Sequence, residues 1–312
     1  MSPSRLRSAL QRMKPLRRAQ RLSVADYWTD HNVTGHREFR TAQASLAAFH
    51  WRNSQYANYL HLMPVAGFDG RRVLDFGCGP GHDLVGFGVY SPSVRLSGVD
   101  VSPASLEEAR RRLALHHIAA DLRVIDDTAP LPFDDGAFDH VHSSGVLHHV
   151  ADLPRSLREI RRVLKPGGTM HVMIYNADSV WMHLKVAYHR TLLEGRYPEL
   201  SPRERFAKST DGEDCPIANC YQPQEFIEIA NRAGFAATYA GAAVSMIELS
   251  LLPTRFAAIM DPRLPDESRQ FLESLEFDAR QLPMIGGRHA GVDAVFHLRV
   301  QDSSQSVSLC AE

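Results

Sequence analysis

Residues 71–83 read RRVLDFGCGPGHD, and this stretch decides the fold. Val73 and Leu74 close a short apolar run, Asp75 follows, and Gly77, Gly79 and Gly81 then alternate with Cys78 and Pro80. A buried strand that breaks into alternating glycines is how a doubly wound α/β sheet brings its backbone close to a ligand at a strand's carboxyl end. A Cβ in that loop would fill the ligand's space or forbid the backbone angle. Taken alone, the glycines also fit a plain strand-to-helix turn, so the neighbouring sequence has to decide.

Residues 97–101, SGVDV, read as a second strand ending in Asp100, with a helix behind them over 105–115. An acid at the tip of the strand after a glycine loop is placed to accept hydrogen bonds from a ribose diol. Residues 122–125 lead into Asp126, Asp127 and the loop TAPLPFDDGAFD. DHVHSSG from Asp139 starts a fourth strand, and LKPGGTMHVMIY from Leu164 supplies a turn and a fifth. This alternation of strand, acid or small residue, and helix predicts a parallel sheet.

From about residue 69 to 176 the chain closely resembles the class I S-adenosylmethionine-dependent methyltransferases, in the broad subgroup called methyltransferase type 11. VLDFGCGPG, GVDVSP, ADLRVIDDTAPLPFDDGAFDHVHSSGVLHHV and RRVLKPGG match it in order and spacing. The resemblance covers about a third of the chain, and the flanks resemble the subgroup less specifically. It implies an α/β fold, a doubly wound, seven-stranded, mostly parallel Rossmann-like sheet with helical cap additions. It also implies S-adenosyl-L-methionine as cofactor and S-adenosyl-L-homocysteine as product.

By that resemblance Gly77, Cys78, Gly79 and Gly81 cradle the cofactor, Asp75 holds its amino end and Asp100 takes the ribose hydroxyls. Asp126 or Asp127 accepts from the adenine amino group, Val101 and Ile125 sandwich the ring, and Ser143 borders the same shell. His148 and His149 follow the fourth strand near the reactive methyl, where either can act as general base if the acceptor must lose a proton. His148 is preferred, because the first of this pair points toward the cofactor in the family. Packing against the sheet is the competing role. Tyr175 ends the fifth strand at the same crevice. Tyr27, His36, Arg52 and Tyr56 are candidates for a lid over the acceptor, although the aromatic residues serve equally to fasten the N-terminal helices.

The rest of the chain is arranged around this core. Residues 1–21, with seven Arg or Lys and no acid, form a basic, mobile tail. Residues 22–65 are an N-terminal helical cap, 66–176 the cofactor-binding core and 177–222 a helix-and-loop lid. Residues 223–303 return to the sheet, with strands over 235–246 and 291–300 and a helix over 266–282, and 304–312 are a tail. The 177–222 segment mixes apolar and polar residues as an enclosed pocket requires, but it would serve a homodimer interface as readily.

Composition narrows the function. Lys plus Arg (35) balances Asp plus Glu (36), so no global field selects nucleic acid as partner. Cysteines at 78, 215, 220 and 310 give no disulfide framework, and a reducing cytoplasm is the natural setting. No run approaches about eighteen apolar residues, so no membrane span is expected. The sixteen histidines contain no HExxH, Cys215 and Cys220 have no companion CxxC, and no metal is expected. A nucleotide-dependent oxidoreductase would more naturally carry GxGxxG than glycines two apart. An RNA or protein methyltransferase would show an NPPY-like motif or an added binding module. The preferred reading is methyl transfer to an O or N atom of a small molecule, and a non-catalytic cofactor binder stays open.

Overall fold

The computed structural model describes residues 23–31, 38–126 and 128–301. The two tails, His36 and Asp127 lie outside the described residues. In chain order the strands are β1 (Tyr56–Ala57), β2 (Arg72–Phe76), β3 (Arg95–Asp100), β4 (Ala120–Val124), β5 (Phe138–Ser144), β6 (Leu164–Tyr175) and β7 (Phe235–Ser245). β8 (Glu276–Phe277), β9 (Pro283–Ile285) and β10 (Arg288–His289) form a small antiparallel sheet, and β11 (Asp293–Val300) returns to the main one.

The main sheet has eight strands in the order β1-β7-β11-β6-β5-β2-β3-β4. β4, β3, β2, β5 and β6 run parallel, while β11 is antiparallel to both β6 and β7. Seven of these strands match the predicted sheet, and the eighth is the two-residue β1 paired to the end of β7. The chain leaves β2 toward β3 and β4, then crosses back to β5 and β6. That reversal opens a crevice at the carboxyl ends of β2 and β5, where ligands bind in open α/β sheets.

Local sequence explains the layers. Val73 and Leu74 in β2 are fully buried, because helices cover both faces of the sheet. The helix Leu153–Val163 starts where the Asp152 carboxylate accepts from the Arg155 backbone N–H. It then buries Leu153, Leu157 and Ile160 on one stripe. Each such side chain contributes roughly 1.5–3 kcal/mol by leaving water.

Two departures shape the region above the crevice. The helix expected over 266–282 ends at Glu273. Beyond it the Asp278 carboxylate accepts from the Arg280 and Leu282 backbone N–H groups at 2.8 and 2.9 Å, which offers the chain a turn in place of a helix. Between β7 and β11, residues 246–291 leave the sheet and build short helices and the small three-stranded sheet. Their helices and the small sheet pack on the helix Trp181–Leu193, wound as a π-helix, through Leu184, Tyr188, Leu264, Phe271 and Leu272. This second layer covers one side of the crevice, where Trp181, Met246 and Ile247 line its wall.

Candidate active site

A cavity of about 620 Å³ occupies the carboxyl ends of β2, β3, β5 and β6. Its floor is the 75–80 loop with Asp100, Val101 and Ile125, and its side wall is Ser144, Gly145 and Val146. The helices Val24–Asp30 and Ala42–Ser54 bring Trp28, Trp51 and Arg52 over one side. Tyr175, Trp181, Asp211, Met246 and Asp293 close the other.

The floor is mostly backbone. Gly77 has φ +78°, and a Cβ there would stand 2.3 Å from a Val146 methyl. Gly79 has φ +50° and its Cβ direction meets nothing within 4 Å, so it leaves room for a ligand to approach the chain. The Gly77 and Cys78 N–H groups both donate to the Val99 carbonyl, which ties the loop to β3. Asp100 secures the loop further. One carboxylate oxygen accepts from the Gly79 N–H and the other from the Ser102 N–H, both at 2.8 Å. Each oxygen keeps a second lone pair for a vicinal diol. Burial raises the Asp100 pKa, and these N–H groups counter it.

Behind the loop lies a buried ionic cluster. Burial pushes Asp75 up to about 7, with His142 pulling the other way. Asp83 stands 3.4 Å from His142. Burial works against the Asp83 charge, but the His142 hydrogen bond and the Arg52 charge outweigh it and hold the carboxyl below its usual range. The Arg52 guanidinium donates to Asn53 Oδ1 at 3.0 Å and lies 4.6 Å over the Tyr59 ring, leaving it a cation on the cavity wall. A diol acceptor, a carboxyl pair for an ammonium, a guanidinium for a carboxylate and an open glycine cradle together fit an amino-acid nucleoside.

The upper compartment is built from side chains. Tyr175 donates to Asp211 Oδ1 at 2.7 Å, and Tyr27 donates to the Asp211 carbonyl. Trp28 lies 4.6 Å from the His149 ring. Asp293 opens β11 directly across from Tyr175, and its side chain makes no hydrogen bond among the described residues. Burial pushes it up to about 8, and its charge is the main reason the Tyr56 phenol is raised. Beneath it, buried Glu248 accepts from the Trp181 and Val292 N–H groups, and burial holds it near 7.

The structure sorts the expected residues. Asp75, Gly77, Cys78, Gly79, Asp100, Val101, Arg52, Tyr56, Tyr175 and His149 all line the one cavity. His148 does not. It is fully buried, stacks on Tyr175 at 3.7 Å and accepts the Tyr175 N–H, so its place is beneath the wall. Ser143 is likewise buried and donates to the Phe76 carbonyl. Gly81 faces Ala109, where a Cβ would stand 3.1 Å away, and it serves the contact between two helices. Tyr27 holds the 211 loop from behind, and its neighbour Trp28 reaches the cavity instead. Asp126 turns to the Thr128 N–H and hydroxyl and borders a separate small pocket that shares Phe76, Ile125 and Val150 with the main one. His36 and Asp127 lie outside the described residues.

Sequence reasoning overlooked Asp293, Asp211 and Trp28 as site residues. Asp293 did carry a signal, an acid heading an otherwise apolar strand. Trp28 lies in a seven-residue helix too short for periodicity to mark its buried face, and Asp211 lies just past the end of the helix Pro202–Thr210.

Residues 74–172 match the family described as methyltransferase domain. A 37.1 kDa protein of transposon Tn4556 from Streptomyces fradiae is 43% identical over 168 residues, which are 54% of this chain and 44% of that protein. A protein described as a methyltransferase in Schizosaccharomyces pombe is 33% identical over 154 residues, 47% of this chain and 54% of its own length. The chain thus spans about half the length of these curated relatives. A Haemonchus contortus phosphoethanolamine N-methyltransferase 2, solved with phosphomonomethylethanolamine and S-adenosylhomocysteine, shares the fold. It superposes with a TM-score of 0.50 at 18% identity, over 90% of this chain and 60% of that one.

Proposed function

We propose that this chain, whose residues 74–172 form a class I S-adenosylmethionine-dependent methyltransferase domain, methylates an oxygen or nitrogen of a small-molecule acceptor. One observation carries the reading. One continuous, partly open cavity has a glycine cradle with a diol-accepting carboxylate at one end and an aromatic, carboxyl-bearing compartment at the other. Its size, about 620 Å³, falls in the range of roughly 300–1,000 Å³ typical of small-ligand sites.

When bound, S-adenosylmethionine supplies an electrophilic methyl on a sulfonium. The chain's own part is to hold, orient and dry the reactants. Asp100 accepts from the ribose hydroxyls, Asp75 faces the ammonium and Arg52 the carboxylate of the amino-acid end. Val101 and Ile125 supply apolar surface for the adenine. Trp28, Trp51 and Trp181 exclude water, which strengthens every polar contact inside. Placing the acceptor atom within about 3–3.5 Å of the methyl supplies most of the acceleration such a displacement needs.

If the acceptor must lose a proton, Asp293 Oδ is the group to hold it. It faces the cavity without a partner, and its affinity for protons is raised into the working pH range. His149 also faces the cavity, but its Nδ1 is taken by the Ile217 carbonyl and its Nε2 faces Asp211 and not the cavity centre. Three unpaired cysteines, Cys78, Cys215 and Cys220, agree with a reducing compartment such as the cytoplasm. Among the described residues no helix is long and apolar enough to cross a membrane.

The test uses S-adenosylmethionine carrying a deuterated methyl, incubated with a cell extract split into small-molecule, protein and RNA fractions. The label should appear in the small-molecule fraction with equimolar S-adenosylhomocysteine. Label confined to protein or RNA would overturn the acceptor class, and no turnover in any fraction would reduce the chain to a cofactor binder.

A further inference from the structure

We propose that His149, Asp211 and Cys215 form a binding site for a zinc-class divalent cation at the edge of the cavity. Among the described residues they are a trio whose ligand atoms all lie within 4.8 Å of one another. The inference is independent of the methyl-transfer reading, because metal occupancy can be measured without any acceptor.

The hydrogen bonds fix which atoms are available. His149 Nδ1 lies 2.6 Å from the Ile217 carbonyl oxygen. A carbonyl only accepts, so Nδ1 carries the hydrogen and Nε2 carries a lone pair. That lone pair points at Asp211 Oδ2, 3.7 Å away. The Asp211 side chain is only 4% exposed, and its Oδ2 has no hydrogen-bond partner. Its other oxygen, Oδ1, is occupied by the Tyr175 hydroxyl. Cys215 Sγ completes the trio, lying 3.3 Å from the same Ile217 carbonyl. An imidazole lone pair, a buried carboxylate oxygen and a sulfur thus converge with no hydrogen between the first two. Desolvated acceptors facing each other repel, and a proton or a metal ion between them removes the conflict; at 3.7 Å the gap is too wide for a good hydrogen bond and nearer to that of two ligands of one ion.

The spacing and chemistry agree. Zinc bonds of roughly 2.0–2.3 Å at tetrahedral angles put neighbouring ligand atoms roughly 3.3–3.8 Å apart. The His149–Asp211 separation of 3.7 Å is within a few tenths of an ångström of the roughly 3.3–3.5 Å a zinc-bound N and O would take, and rotation of the thiol would bring in the third ligand. A nitrogen, oxygen and sulfur set selects a borderline-soft ion over magnesium or calcium, which prefer all-oxygen shells. Two of the three ligands are also oriented from behind, the His149 ring by the Ile217 carbonyl and the Asp211 carboxylate by the Tyr175 hydroxyl, as bound metal sites require. Trp28 covers the His149 ring from the other side. His149 and Asp211 line the cavity while Cys215 does not, so three protein ligands would leave the fourth position open toward the acceptor. The ligands come from the turn after β5 and from the loop after the helix Pro202–Thr210, so the ion would also fasten that loop to the sheet.

Cobalt(II) titration of the full, chelator-stripped chain tests this, with zinc content of the freshly purified protein measured by mass spectrometry. We expect one tightly held ion per chain and a near-ultraviolet thiolate-to-cobalt charge-transfer band. Cys215→Ser should abolish that band, Asp211→Asn should weaken binding by about tenfold or more, and Cys220→Ser should change neither. Circular dichroism of each variant checks that it is folded. A misfolded Cys215→Ser would be replaced by Cys215→Ala, read in the same way. Binding that survives both the Cys215 and Asp211 substitutions would place the ion on surface histidines and overturn the proposal. No stoichiometric binding to the parent chain would do the same.

Discussion

The glycine cradle and the aromatic compartment above it share one cavity but are assembled in opposite ways. The cradle is continuous chain, residues 75–80, braced by Asp100 from the next strand. Its shape comes from backbone angles that only certain residues adopt, so it changes little without losing the ligand. The compartment draws one or two side chains from each of several distant segments, Trp28, Tyr56, Tyr175 and Trp181, Asp211, Met246 and Asp293. No backbone constraint unites them. The cradle can therefore stay fixed while the compartment is rebuilt for different acceptors, and the two ends should respond differently to substitution.

The largest effect is expected at Gly77. Gly77→Ala adds a left-handed backbone penalty to a collision with Val146, together roughly 2–5 kcal/mol of lost stability in urea denaturation. Gly79→Ala, which meets no protein atom, should lose only the backbone part, roughly 1–2 kcal/mol, yet bind S-adenosylhomocysteine more weakly. Equal losses at the two positions would break the picture of a cradle with one protein-facing and one ligand-facing glycine.

Next is Asp100→Ala, expected to cost roughly 2–4 kcal/mol of cofactor affinity by calorimetry. The ribose diol loses its acceptor, and the Gly79 N–H loses the carboxylate that holds the loop in place. At the boundary between the two ends, His148→Ala should cost about 1–3 kcal/mol of stability by stranding the Tyr175 N–H. Its affinity for S-adenosylhomocysteine should not change, and a large loss would return His148 to the binding surface.

The last test reads a slope against pH and not a single loss. Asp293 holds its proton to about 8 in the folded chain against an ordinary carboxylate value of 3.8. Between those pH values the folded state binds more protons than the unfolded one, so stability falls as pH rises through the window. Asp293→Asn should flatten part of that fall, and the rest should remain because Glu248 and Asp75, both held near 7, act in the same direction. Urea midpoints at about pH 5 and about pH 8 give the comparison. An unchanged slope would mean that Asp293 is ionised throughout.

The same division explains what the sequence could reveal. β2, the glycine loop and Asp100 lie within thirty residues of each other, and local chemistry alone dictates their arrangement. That these strands run parallel follows from the alternation of strand and helix. The compartment resisted because its members meet only in the tertiary fold. Asp211 reads as one polar loop residue among several, and nothing near it in sequence indicates that Tyr27, His149 and Tyr175 converge there. The pair His148-His149 shows the limit of local reading. Adjacent side chains on a turn point different ways, and the tight 3₁₀ turn Leu147–His149 sends the second, not the first, to the cavity. The helix lost after Glu273 failed for a different reason, an aspartate turn that outcompetes helical hydrogen bonds.

The central claim is that the cradle is made for a sulfonium nucleoside and not for a dinucleotide. Calorimetric titration of the full chain with S-adenosylhomocysteine, S-adenosylmethionine, NADH and NADPH tests it most directly. The account predicts one site per chain that binds the first two at micromolar concentrations and gives no heat with the nicotinamide cofactors. Binding of NADH or NADPH in preference to S-adenosylhomocysteine would contradict it.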